Sequence, residues 1–250
     1  LELLAQELPT NSHNLAHCAA DLTQLITDHQ RIRAHADPNH LLDLAGSLNN
    51  LSNRLGEMGR WDEALAAITE AIDIRRELAQ SQPDAHRPEL AGSLNSLSIH
   101  LGNLGRWEES LTAIEEAVEI RRDLTPAQPE AFRPDLAMSL TNLSGRLSKM
   151  GRPREALAAS EEAVEIRRQL AQIRPEAHRP DLATSLNNLA IQLGHLATGS
   201  SLNSAVEVNA VSGGDCVDQS LELGGWVLVR PGSPPPVEGD GGGEPGTDGA

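Results

Sequence analysis

The sequence predicts an all-α protein built as a solenoid of antiparallel helix pairs. Three observations lead there. Residue pairs recur at a fixed interval: Leu44-Ala45, Leu90-Ala91, Leu136-Ala137 and Leu182-Ala183 lie 46 positions apart, as do Gly59-Arg60, Gly105-Arg106 and Gly151-Arg152. A period of this size marks stacked supersecondary units rather than one closed core. Within a unit, Leu90, Leu94, Leu97, Leu101 and Leu104 follow at spacings of 4, 3, 4 and 3, which is one face of a helix. Glycine and proline then punctuate the apolar runs, Gly105 closing one helix and Pro126 and Pro129 the next.

The elements follow in order. A short start over residues 1–8 is separated by Pro9 from a helix over residues 13–36, with Leu15, Ala19, Leu22, Ile26 and Ile32 expected to face the first full unit. This helix reads as the second half of a degenerate repeat within residues 1–40. Full units then occupy 41–86, 87–132 and 133–178, and a half unit 179–197. Their first helices are expected over 44–58, from Pro88, over 136–150, and from Pro180 to 196, because proline suits a first helical position. Their second helices are expected over 61–80, from Trp107, and over 153–172, with acidic residues in the opening turns. Each unit reads as helix, tight turn, helix, longer loop. After Leu196 the Gly-Arg-Trp turn fails to recur. Residues 198–250 are expected to be a low-complexity acidic tail: weak alternation over 201–211, a strand pair over 221–229, and disorder from Pro231.

Composition limits the function classes. The net charge is -16, with 28 acidic and 19 basic residues in 1–197 and 8 acidic and 1 basic beyond. Nucleic-acid binding needs a basic face and often stacking aromatics; tyrosine is absent and there is one phenylalanine. Two cysteines, Cys18 and Cys216, do not make a disulfide framework, so a cytoplasmic setting is expected. No apolar run is long enough to cross a membrane. The start at Leu1 rather than Met reads as a piece of something longer.

The units resemble tetratricopeptide repeats. The first carries Leu48-x2-Leu51-Ser52-x2-Leu55, then Ala64-x3-Ile68, then Ala71, with Gly59 and Trp61 in the turn. Ser47-Leu48-Asn49-Asn50-Leu51-Ser52 followed by Gly59-Arg60-Trp61 is similar to the longer, kinesin-light-chain type of the family, in an actinobacterial style. The unit is 12 residues longer than the usual repeat, and the extra length is expected in the second helix and the loop after it. The resemblance implies a right-handed superhelix with the first helices lining its concave face. It therefore implies a binding surface at Asn49, Asn50, Asn53 and Glu57; Asn95, Ser96, Ile99 and Asn103; Met138, Thr141, Asn142 and Lys149; and Thr184, Asn187, Asn188, Ile191 and His195.

An amide carries both donor and acceptor, so a row of asparagines can grip the backbone of an extended peptide without reading its side chains. The same amides can instead tie one repeat to the next. Both roles stay open from sequence. The function expected is a protein-interaction scaffold or sensor, binding a peptide or helix in the groove. A self-association module through the uncapped last helix, and a regulatory arm of a larger signalling enzyme, are the alternatives. No catalytic residue, cofactor or metal is expected. The Arg75-Arg76, Arg121-Arg122 and Arg167-Arg168 pairs read as intrahelical partners of Asp73, Glu119 and Glu165. Trp61 and Trp107 read as packing residues. His13, His17 and Cys18 read as a helix end, since a zinc site needs more ligands.

Overall fold

The computed structural model describes residues 13–208. These form eight α-helices with no strand among the described residues: α1 His13–Ala36, α2 Leu41–Glu57, α3 Trp61–Ser81, α4 Pro83–Asn103, α5 Trp107–Leu124, α6 Pro129–Lys149, α7 Pro153–Ile173 and α8 Pro175–Val208. A 3-10 turn, Pro38–His40, joins α1 to α2. From α1 to α7 each helix packs on the next, as a solenoid requires, and Arg167 of α7 bonds Ser185 of α8. Residues 1–12 and 209–250, and with them the expected strand pair and disordered segment, lie outside the described residues.

The turn inside each pair is set by one glycine. Gly59, Gly105 and Gly151 have φ of 73°, 74° and 70°, a left-handed backbone that side chains with a Cβ disfavour. The helix before each closes with a paired hydrogen bond: Arg60 N–H to Leu55 O at 2.9 Å and Gly59 N–H to Gly56 O at 2.9 Å in the first unit, with equivalents at Arg106 and Arg152. The arginine of the turn then forks onto the carboxylate three residues on, Arg60 to Glu63 at 2.6 Å through both nitrogens.

Between units the structure differs from the expected long loop. Single residues, Gln82 and Arg174, separate consecutive helices, and Thr125–Gln128 does so in the second unit. The first helices start at Pro83, Pro129 and Pro175, five residues ahead of Pro88, Pro134 and Pro180, which sit inside. Two prolines five apart straddle each boundary between units. The upstream one takes the first helical position, and the inner one costs a single backbone bond. The 12 extra residues of the unit therefore lengthen both helices. The last helix, α8, runs unbroken past Leu196 to Val208, beyond the half unit expected to end at 197.

The core is a chain of small contacts, not a central mass. Leu48, Leu94 and Leu140 recur at 0–1 % exposure, and Ile68 and Ile114 are wholly buried opposite them. In α1 the buried face is Ala19, Thr23, Thr27, Gln30 and Ala34, while Ile32, expected to face the first unit, is 69 % exposed. The threonines can occupy this face because each hydroxyl donates to the carbonyl four residues back, Thr23 to Ala19 at 2.7 Å and Thr27 to Thr23 at 2.8 Å.

Candidate functional site

The first helices of successive pairs, α2 with α4 and α4 with α6, approach each other closely, whereas successive second helices do not. The first helices therefore lie on the inner, tighter side of the curve. The second helices are bridged instead by long side chains: Arg76 reaches Glu116 at 2.7 Å, Arg31 reaches Glu70 at 2.8 Å, and Arg122 pairs with Glu162. This corrects the intrahelical pairing expected of the second arginines. The partners of Arg76 and Arg122 are one repeat away.

The first arginine of each pair does something else. Arg75, Arg121 and Arg167 are 4–8 % exposed, and each donates to a serine on the next first helix, Ser93, Ser139 and Ser185. Each also donates to a backbone carbonyl there, Glu89, Asp135 and Asp181, at 2.8–2.9 Å. Burial pushes all three guanidinium groups below their ordinary range. The relay continues into the inner face: Ser93 donates to Asn49 Oδ1 at 3.0 Å, and Ser139 to Asn95 Oδ1 at 3.4 Å. Asn142 Nδ2 also donates to Asn95 Oδ1 at 2.9 Å.

The amides expected on the binding face thus fall into two sets. Asn95 is buried and its carbonyl oxygen takes two donors from the next repeat; Asn49 is half-buried and tied to Ser93; Asn142 is spent on Asn95. Thr141 is half-buried and donates back to Ala137 O. Asn50, Asn53 and Asn187 are exposed, Ser96 and Asn188 half-buried, and none of the five side chains makes a hydrogen bond among the described residues. Glu57, Asn103, Lys149 and His195 line up as exposed residues one repeat apart. His195 meets Ser148 at 3.0 Å, and Asn103 donates to Ile99 O at 3.0 Å. Thr184, Met138 and Ile191 are exposed and Ile99 half-buried.

Two of the free amides share a concavity. Between α1 and α2 lies an open groove of about 610 Å³, bordered by Asn50, Asn53 and Glu57 from one side and Ile26, Gln30 and Arg33 from the other. Asp43 and Arg54 also line it. The groove thus presents amides, both signs of charge and an apolar patch within one site.

Sequence reasoning missed the arginine–serine–asparagine relay. Its signal was internal: Arg75, Arg121 and Arg167 and Ser93, Ser139 and Ser185 recur in every unit, always 18 apart within a pair. It also missed a buried contact between Ser52 Oγ and His100 Nε2 at 2.8 Å. His100 sits over Gly56, where a Cβ would come within 2.7 Å of its ring, and beside Trp61 with ring centroids 6.0 Å apart. Serine and histidine at this distance suggest a nucleophile and base, but Ser52 is wholly buried and His100 3 % exposed, so no substrate reaches them. In the next unit the same position is Arg146, whose guanidinium lies 5.9 Å from the Trp107 ring centroid. Trp61 and Trp107 therefore pack, as expected, each under a side chain of the following repeat. Among the described residues no group of three or more His, Cys, Asp or Glu side chains is placed to hold a metal.

Burial holds the His100 imidazole below its ordinary value of about 6.5. The folded state thus favours the neutral ring, and the unfolded chain takes up its proton first as pH falls. The contribution of this group is complete above pH 6.5 and is lost as pH drops below it toward the folded value. The melting temperature of the parent should fall more between pH 7.5 and 5.5 than that of His100→Gln. Parallel curves would place the pH dependence elsewhere.

Two tetratricopeptide-repeat family models match the sequence, one over residues 44–84 and one over 89–169. The chain carries tetratricopeptide repeats over these residues. The fold is also that of two crystal structures of nearly identical TPR-like repeats from a Podosopora anserina protein named as a putative kinesin light chain. One of them, a point variant of that protein, superposes with a TM-score of 0.62 and the other with 0.60. Each is 20 % identical, over 83 % of this chain and 90 % of the other. No curated protein matches the sequence. As in other tetratricopeptide repeats, the repeated surface suits protein–protein interaction. No described helix is long and apolar enough to cross a membrane.

Proposed function

We propose that this protein is an interaction scaffold that holds an extended peptide along the inner face of its first helices, seated first in the groove between α1 and α2. The observation that carries the reading is the pair of unspent amides, Asn50 and Asn53, facing a 610 Å³ concavity with Arg33 and Glu57 at its margins. An amide there offers one acceptor and two donors to a peptide backbone, and the flanking charges can orient it. Farther along the same face, Asn187 and Asn188 offer the next free amides, while Asn49, Asn95 and Asn142 hold the stack that presents them. The setting we assign is the cytosol of a bacterium, as the sensor or scaffold arm of a signalling protein.

The test is selection of an extended-peptide library on the full chain, followed by titration of the selected peptides against Asn50→Ala/Asn53→Ala. Each lost hydrogen bond is worth about 0.5–1.5 kcal/mol, so the double variant should bind about tenfold more weakly at unchanged helicity. A second variant, Asn142→Ala, should affect stability more than affinity. Undiminished binding by the double variant would remove the groove as the site.

A further inference from the structure

Among the described residues, α8 is a first helix without its mate. Along α2, α4 and α6 the alanine register Ala45, Ala91 and Ala137 is 0 % exposed, the register Leu48, Leu94 and Leu140 is 0–1 % exposed, and Leu55, Leu101 and Leu147 are 3–4 % exposed. The same registers in α8 are open: Ala183 is exposed, Leu186 is 39 % exposed and Leu193 49 % exposed. Ala190 stands, exposed, where Ser52, Ser98 and Ser144 are buried. The stripe Ala183, Leu186, Ala190, Leu193 runs at spacings of 3, 4 and 3 along one side of α8. Its other side is normally seated, with Ser185 1 % and Gln192 5 % exposed.

A second feature at this end points to what would cover the stripe. Arg31, Arg76 and Arg122 each reach forward to a glutamate on the next second helix, Glu70, Glu116 and Glu162. Arg168 occupies the register of Arg76 and Arg122, is exposed, and has no carboxylate partner among the described residues. Stripe and arginine together specify the missing surface, because the chain covers the same surface three times over. The covering helices carry small residues at Ala67, Ala113 and Ala159 and again at Ala71, Ala117 and Ala163. They carry Ile72, Val118 and Val164 one residue later, and the glutamate one residue before the second alanine.

We propose that the exposed side of α8 is a docking site for an amphipathic helix supplied by another polypeptide, with small residues at i and i+4, a β-branched residue at i+5 and a glutamate at i+3 for Arg168. This surface is separate from the peptide groove, and the assignment does not rest on that reading. A second copy of this chain offers the wrong partner. Its α1 is a second-type helix, but Leu25 stands where the glutamate is needed, and Ala19 and Thr27 on its packing side are already 1 % and 0 % exposed. The interface would extend the stack by its own rule: apolar burial along the helix supplies the affinity, and the ion pair at its margin fixes the register.

The experiment uses the full chain and a stapled, fluorescently labelled helix with the sequence of residues 107–124, which carries the required pattern at Ala113, Glu116, Ala117 and Val118. Anisotropy should report saturable binding. Leu193→Asp, a change at an exposed position that leaves the fold intact by circular dichroism, should weaken it about tenfold or more, since a carboxylate would be buried without a partner. Arg168→Glu should weaken it about two- to fivefold, as expected of a marginal ion pair, and a peptide carrying Glu116→Arg should recover that loss. Absence of saturable binding, or binding indifferent to Leu193→Asp, overturns the proposal. So does a concentration-dependent doubling of mass abolished by Leu193→Asp, which would seat a second copy on this face. Peptide-groove variants at Asn50 and Asn53 should leave this binding unchanged, which keeps the two sites distinguishable.

Discussion

Leu94→Ala should destabilise the protein by about 2–5 kcal/mol, the range for emptying a fully buried leucine site that cannot collapse. Leu94 is 1 % exposed and sits in α4, which packs on α3 before it and α5 after it. A solenoid has no central core to absorb the loss, since each repeat touches its neighbours alone. The cavity must therefore be relieved within the second unit or not at all. Leu97, three residues on, is half-buried at the edge of the same face, so Leu97→Ala should cost less. Urea unfolding followed by circular dichroism measures both. Equal losses, or a loss at Leu94 below about half a kcal/mol, would mean that the helix face is assigned wrongly. A sloping or split transition for Leu94→Ala is also informative: it would show the units before and after α4 melting apart.

The repeat made most of this fold legible. Leucine spacing and the glycine turns place every helix pair, because an apolar stripe at helical period has one way to be buried. The ends of the helices were less legible. Pro88 and Pro180 read as starts, and Leu136 in the third unit, yet Pro83, Pro129 and Pro175 satisfy the first-position rule upstream of them. Nothing in a local rule ranks two prolines that both fit. In α1, Ile32 read as core, yet the structure exposes it and buries Thr27, since a threonine that bonds its own helix backbone loses little on burial. The inner face was legible as a surface but not as a site. Asn49 and Asn50 are neighbours with identical chemistry. A rotation of about 100° per residue gives one to Ser93 and the other to the groove. Sequence alone cannot divide them, because the division depends on where the next repeat's serine lies.

The adjacent arginines of the second unit should separate in the same way. Arg121→Ala should cost about 2–4 kcal/mol, while Arg122→Ala should cost less than about 1 kcal/mol, although the two residues are chemically identical. Arg121 is 4 % exposed and bonds Asp135 O at 2.8 Å and Ser139; its nearest carboxylate, Asp135, is 4.0 Å away. It is a buried cation held by neutral acceptors. Its removal leaves Ser139 with Asn95 alone, takes a donor from the Asp135 carbonyl, and opens a cavity between α5 and α6. Arg122 is half-exposed and pairs with Glu162 across the outer seam, where water screens the interaction. Arg121→Met distinguishes the sources of the larger loss. It keeps much of the stem volume and drops the charge, and buried charges are often replaced by apolar side chains at little expense. If Arg121→Met recovers most of the stability lost in Arg121→Ala, the arginine acts chiefly as filler. If it does not, the hydrogen bonds to α6 are what fasten one repeat to the next, and Ser139→Ala should then show a smaller loss of the same kind. Raising salt from about 0.05 to about 0.5 M should weaken the Arg122 contribution and leave that of Arg121 nearly unchanged, because ions screen the outer seam and do not enter the inner one.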